Sequence, residues 1–193
     1  MSSSLVFGVG VNDGKYPSWV NGSHIKEYLT WRGLMARCYS PISQRKRPTY
    51  IGCTVSENFK SYSYFYNWCR NQIGFDQGGF QIDKDLLIRG NKLYSEATCL
   101  FLPLQLNSLL INSGAVRGNL PLGVSANRGK FLVRLSKEAK SNHIGRFDTP
   151  NEAFAAYKQA KEAHIKLQAE KWKAHIDPRA YAALMAYEVL ATD

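Results

Sequence analysis

No run of apolar residues in this sequence approaches the ~20 that a helix needs to cross a bilayer, which excludes a helical membrane span. The first residues, MSSSLVFGVGVNDG, lack the cationic segment that opens an export signal, so the cytosol is the expected compartment. Cysteine occurs four times, as Cys38, Cys53, Cys69 and Cys99, but never as C-x-x-C and never within five residues of a histidine. That spacing disfavours a structural zinc and leaves buried, reduced thiols as the expected role. No internal repeat or low-complexity tract is present, which argues against a solenoid array. Acidic residues are few: 15 Asp and Glu face 25 Lys and Arg, a net charge of +10. That balance directs attention to a polyanionic partner, because Lys and Arg gain affinity by displacing counterions condensed on phosphates.

What is present suits an α+β chain of two compact modules, since 193 residues at 45% hydrophobic can fill two small cores. Ile25, Tyr28, Leu29, Leu34, Met35 and Cys38 recur at helical spacing over 23–39, and Ser40-Pro41 ends that helix. A loop follows with three consecutive cations, Arg45, Lys46 and Arg47, a run that suits open solvent and a phosphate backbone equally. Residues 51–55 read as a short strand, and Phe59, Tyr62, Phe65, Tyr66, Cys69 and Ile73 form a second helical stripe. The stretch 112–120, NSGAVRGNL, is poor in large apolar residues and divides residues 1–114 from 115–193. The two parts are equally basic, with 12 Lys and Arg against 7 acids in the first and 13 against 8 in the second.

The second part reads as three short strands and a helix over 122–167, with another helix at the C-terminus. Along 130–136 the side chains alternate: Phe131, Val133 and Leu135 on one face, Lys130, Leu132, Arg134 and Ser136 on the other. Between Ala115 and Pro150 seven Lys and Arg stand against two acids, so the basicity belongs to the strands. Thr149-Pro150-Asn151-Glu152 is a capping box with Pro at the first helical position. Phe154, Tyr157, Ala160, His164 and Leu167 line one side of the helix it starts. Asp177-Pro178 begins the last helix, with Tyr181, Leu184, Met185 and Glu188 on it.

Residues 82–107 read as a strand ending in acids, a Gly-Asn turn, a strand over 98–102 and a helix from about Pro103. That order is similar to a ββα-metal core, in which one or two carboxylate or amide oxygens hold a divalent cation beside a phosphate. Lys84 follows Asp83 directly in this segment. A free lysine with a pKa near ~10.4 is a phosphate clamp rather than a base at neutral pH. Alternatively, Asp83, Lys84, Asp85 and Asn91 form only a polar turn around Tyr94 with Ser95 and Glu96. His24, His143, His164 and His175 have no spacing that supplies the missing base, and structural or surface roles suit them better.

This segment resembles the degenerate HNH nucleases of bacteriophages, whose first strand ends in Asp-His. Asp83, Asn91 and Asn107 match that pattern, and Lys84 replaces the catalytic histidine. The pieces Gly123-Val124-Ser125, Gly129-Lys130-Phe131, Arg134-Leu135, 144–149 (IGRFDT) and 152–157 (EAFAAY) resemble the three-stranded DNA-binding domain of plant ethylene-responsive factors. Where those domains carry a tryptophan, this chain has Phe131. The same domain is appended to phage HNH homing endonucleases, and the pattern around Trp31, Arg37-Cys38-Tyr39 and Cys53 is similar to that combined family. The resemblance implies a ββα-metal module with flanking helices, followed by a sheet-and-helix module. It implies catalytic or phosphate-contacting roles for Asp83, Lys84, Asn91 and Asn107, with Mg2+ or Mn2+ held by Asp83 and Asn107. Arg128, Lys130, Arg134, His143 and Arg146 would face double-stranded DNA. The expected activity is metal-dependent cleavage of that DNA in the cytosol of a phage-infected bacterium. The alternative is a nuclease-derived protein that no longer cuts and occupies DNA or a host or phage nucleoprotein.

Overall fold

The computed structural model describes residues 5–110, 120–137 and 140–192, apart from the side chains of 136–141. The dividing stretch expected at 112–120 lies outside them except for Leu120, as do Arg117 and the side chains of Ser136, Lys137 and Lys140. The chain is α+β and forms two compact units: residues 1–104 with 175–180, and residues 105–174 with 181–193. No helix among the described residues is long and apolar enough to cross a membrane.

In the first unit a small antiparallel pair, β1 (Trp19–Val20) and β2 (Ser23–His24), leads into α1 (Lys26–Tyr39). The buried side of α1 is Trp31, Leu34, Met35 and Cys38, while Leu29 is 52% exposed. Trp31 therefore replaces Leu29 in the expected stripe, and its indole N–H donates to Phe59 O at 2.8 Å. Ser40 ends α1 and caps α2 (Pro41–Lys46), accepting from Ser43 N through its hydroxyl. Arg45 and Lys46 thus occupy the last turn of a short helix rather than a loop, beside its negative end. A 3-10 turn, Pro48–Tyr50, leads to β3 (Thr54–Val55), shorter than the strand expected at 51–55.

The second stripe is two helices, α3 (Glu57–Lys60) and α4 (Tyr62–Arg70), because the Ser61 hydroxyl accepts from Tyr64 N and starts a new helix. Phe59, Tyr62, Phe65 and Cys69 are buried as expected, but Ile73 lies beyond α4 and is 48% exposed. Phe59, Phe65, Trp68, Phe75 and Phe101 pack ring against ring, with centroids 4.6 to 6.1 Å apart. β4 (Phe80–Asp83) pairs antiparallel with β6 (Leu100–Pro103), and β5 (Leu93–Tyr94), between them in sequence, pairs parallel with β3. α5 (Leu104–Leu109) follows β6 directly in sequence, and from Gln105 onward it belongs to the second unit. All four cysteines are buried and free, as their apolar neighbours implied.

The second unit holds an antiparallel sheet, β7 (Val124–Asn127), β8 (Lys130–Lys137) and β9 (Lys140–Phe147), in sequential order. Residues 127–130 turn β7 into β8 with φ of 48° at Arg128 and 74° at Gly129, the two positive values of a hairpin turn that follows the twist of the strands. Val124, Val133, Leu135, Ala153 and Tyr157 form the core, closed by Leu122 and Val189. Gly123 permits this, since a Cβ there would lie 2.1 Å from the Tyr157 ring. α6 (Pro150–Trp172) starts at the capping box, Thr149 Oγ1 accepting from Glu152 N and Glu152 Oε2 from Thr149 N, both at 3.2 Å. Its buried side is Ala153, Tyr157, His164, Ile165 and Ala169; Leu167, expected there, is 55% exposed. α7 (Pro178–Met185) begins where Asp177 Oδ1 accepts from Arg179 N and stops short of Glu188.

Candidate nucleic-acid interface and the Asp83 loop

The alternation read along β8 becomes the two faces of a sheet. Val133 and Leu135 are buried against α6, whereas Lys130 and Arg134 are exposed on the opposite side. Register then fixes which residues of β9 join them. Leu132 pairs with Arg146, Val133 with Gly145, and Arg134 with His143, a bulge between Val133 and Arg134 accounting for the extra Ile144. Gly145 continues the packed side, and Arg146 and His143 continue the exposed one. Arg128 projects from the exposed turn at one end. The structure therefore gathers Arg128, Lys130, Arg134, His143 and Arg146 on one sheet and its adjoining turn.

Two of these cations have intramolecular partners that spacing did not reveal. Arg146 donates from Nη2 to Asn127 O at 3.3 Å, which ties β9 to the β7 end. Lys130 Nζ pairs with Asp148, both side chains being well exposed. Such a pair adds little stability in water, and a phosphate can replace the carboxylate. Leu132 lies on the polar side but is only 8% exposed.

The Asp83 loop has the opposite character. Asp83, at the end of β4, accepts through Oδ1 from Asp85 N at 2.9 Å and Leu86 N at 2.8 Å. Burial raises its carboxyl above the ordinary carboxylate range, outweighing those two bonds. Lys84 points inward: it is 5% exposed, with Nζ 2.5 Å from Asp85 Oδ1 and 2.5 Å from Asn91 O. The same ammonium lies 5.7 Å from the Tyr94 ring centre. Asn91 is occupied too, donating from Nδ2 to Lys84 O and Leu93 O and accepting from Leu93 N. Thr98 closes the far end, donating to Leu93 O while accepting from Ser95 N.

Asp83, Lys84 and Asn91 are thus brought together, and Asn107, in α5, belongs to the second unit. One oxygen of Asp83 holds two backbone amides, so the carboxylate could give a cation its second oxygen alone. Among the described residues no three His, Cys, Asp or Glu side chains gather as a metal-binding group. A divalent ion at Asp83 would have to draw most of its ligands from water and substrate phosphates, as Mg2+ does. His24 holds Ser18 O at 2.9 Å between Trp19 and Tyr28, and His164 is buried on α6. Lys84, Asp85 and Asn91 close a polar turn beside Tyr94, while Glu96, expected in it, accepts from Ser56 and Asn58 instead.

No family model matches the chain, and neither a curated protein nor a solved structure matches it significantly.

Proposed function

We propose that this protein binds double-stranded DNA through the exposed face of β7–β9, and that the Asp83 loop braces the first unit without cutting. The observation that carries the binding reading is the segregation of Arg128, Lys130, Arg134, His143 and Arg146 onto one side of a sheet whose other side is core. Three strands spaced by about 4.8 Å measure about 10 Å across, which suits a major groove about 12 Å wide. Arginine in such a position bonds phosphate or the paired acceptors of guanine. The resemblance to ethylene-responsive factors points the same way.

Against cleavage stands the engagement of each loop group. General-base catalysis needs a group that reaches water in its unprotonated form, and the Lys84 ammonium is buried between two acceptors. One feature favours the second reading, a metal-dependent nuclease of HNH type using Mg2+ or Mn2+: the Asp83 carboxylate is desolvated and has an oxygen left for a cation. A non-cutting relative that sits on DNA or on a host or phage nucleoprotein is consistent with the first.

The decisive experiment pairs binding with nicking. Anisotropy titration of duplex DNA across a salt series should give a slope that falls by about 2 in Arg134→Ala/Arg146→Ala, at about 0.9 per phosphate contact. An unchanged slope rules the sheet out as the contact. Supercoiled plasmid incubated with the protein and Mg2+ or Mn2+ should remain supercoiled. Nicking that Asp83→Ala abolishes would establish the nuclease instead.

A further inference from the structure

A second cationic face lies on the first unit, away from the sheet in sequence. Arg45 and Lys46 end α2, Arg47 follows as its cap, and all three are exposed. The Asp83 loop is docked onto the turn beyond them. Lys92 donates from Nζ to Thr49 O at 2.7 Å, and Lys92 O accepts from Thr54 N at 2.8 Å. With β5 paired to β3, these bonds set residues 88–93 beside 49–54, so that exposed Arg89 and Lys92 stand next to the segment that bears Arg45, Lys46 and Arg47. Neither 41–54 nor 86–93 contains an acid, and Asp85, just before the second segment, is paired with Lys84. Ile51, 59% exposed, and Ile88, 55% exposed, lie in the same two segments.

We infer that this face is a second contact for double-stranded DNA, with Arg45, Lys46 and Arg47 on the phosphate backbone. The inference rests on the DNA-binding reading above and adds a separate surface to it. The helix end favours Arg45 and Lys46 locally, and Lys92 ties its loop to Thr49, but neither accounts for Arg47. Acid-free charge suits the uniform negative charge of a phosphate backbone, and exposed isoleucine among cations suits a groove edge, where apolar side chains meet sugars and base steps.

The test uses the full chain and a duplex of about 30 base pairs over a salt series, where the triple variant Arg45→Ala/Lys46→Ala/Arg47→Ala should lower the slope of log K against log salt by about 2 to 3. Arg45→Lys/Arg47→Lys should keep the wild-type slope, and an unchanged urea midpoint in the alanine variant separates lost contacts from lost folding. A wild-type slope in the triple variant, with the slope reduced in Arg134→Ala/Arg146→Ala, overturns this inference and leaves the sheet reading standing. A reduced slope in the triple variant alone supports the face and overturns the sheet. If the triple variant loses binding to polyglutamate while its DNA slope is unchanged, the face takes an acidic protein and the inference fails.

Discussion

Lys84→Ala separates a lysine that braces a loop from one that waits for phosphate. The side chain is 5% exposed, so truncation removes about three buried methylenes from beside Tyr94, worth about 2 kcal/mol at about 0.8 kcal/mol each. It also strips Asn91 O of its ammonium donor, a partly buried carbonyl whose loss of partner costs about 1 kcal/mol. Asp85 is half exposed and regains water, so its side of the ion pair adds little. The expected destabilisation is therefore about 3 kcal/mol. Lys84→Met keeps most of the packing and should lose about 1 kcal/mol, because only the ammonium is gone.

Urea denaturation supplies the free energies, and amide exchange locates them. The N–H groups of Thr54 and Ser56 donate to Lys92 O and Tyr94 O, so a loosened loop should speed their exchange before the rest of the unit responds. DNA binding through β7–β9 should be unaffected in Lys84→Met. The reasoning is refuted if Lys84→Ala costs under about 0.5 kcal/mol and leaves Thr54 exchange unchanged, the range of an ordinary surface substitution. The lysine would then be free to reach a phosphate, as its place in the HNH-like pattern first suggested.

Two further outcomes follow from single features. Gly123→Ala combines a φ of +76° with a Cβ 2.1 Å from Tyr157 Cδ2, so it should destabilise the second unit by more than about 2 kcal/mol; an unchanged thermal midpoint would contradict that approach. Burial pushes the Cys38 and Cys99 thiols from 9.0 up to about 12. The folded protein keeps these thiols neutral while the unfolded chain ionises them, so their contribution is full below 9.0 and is lost as pH rises toward about 12. The loss approaches about 1.4 kcal/mol per thiol per pH unit, and a urea midpoint that is flat in this window would show the thiols to be solvated.

The sheet was legible because its signals are local. Alternation over β8 needs only the two-residue period of a strand, and the capping box fixes the start of α6 within a few residues. The strand, loop, strand, helix order of 80–109 was also readable, since a β-strand rich in Leu and Phe follows a turn in both sequence and structure. Helix faces were read less well. Leu29, Ile73 and Leu167 satisfy a spacing rule yet face outward, because a stripe drawn through every apolar residue ignores which side the neighbouring elements cover. Ser61 split a helix that periodicity joined, its hydroxyl offering the backbone a new start. The fate of Lys84 was legible only as one of two alternatives, the polar turn around Tyr94. Its partners are a carbonyl seven residues away and the carboxylate next to it, and only the closed loop shows both on one ammonium.

That distinction bears on what a net charge of +10 means for a protein of this kind. Many of its cations already have partners within the chain. Lys26 donates to Phe75 O and Gln77 O, Arg70 pairs with Glu27, Lys158 with Glu188, and Arg179 with Asp177. Lys84 joins this group: its charge holds backbone in place, and its removal should register as stability. Arg45, Lys46, Arg47, Arg128 and Arg134 are of the other kind, exposed at a helix end, a hairpin turn and the open side of a sheet. Counterion release depends only on charges that reach phosphate, so the salt slope counts the second group and is blind to the first. Net charge makes a polyanionic partner plausible, but the division between these two groups says where on the chain such a partner would be held.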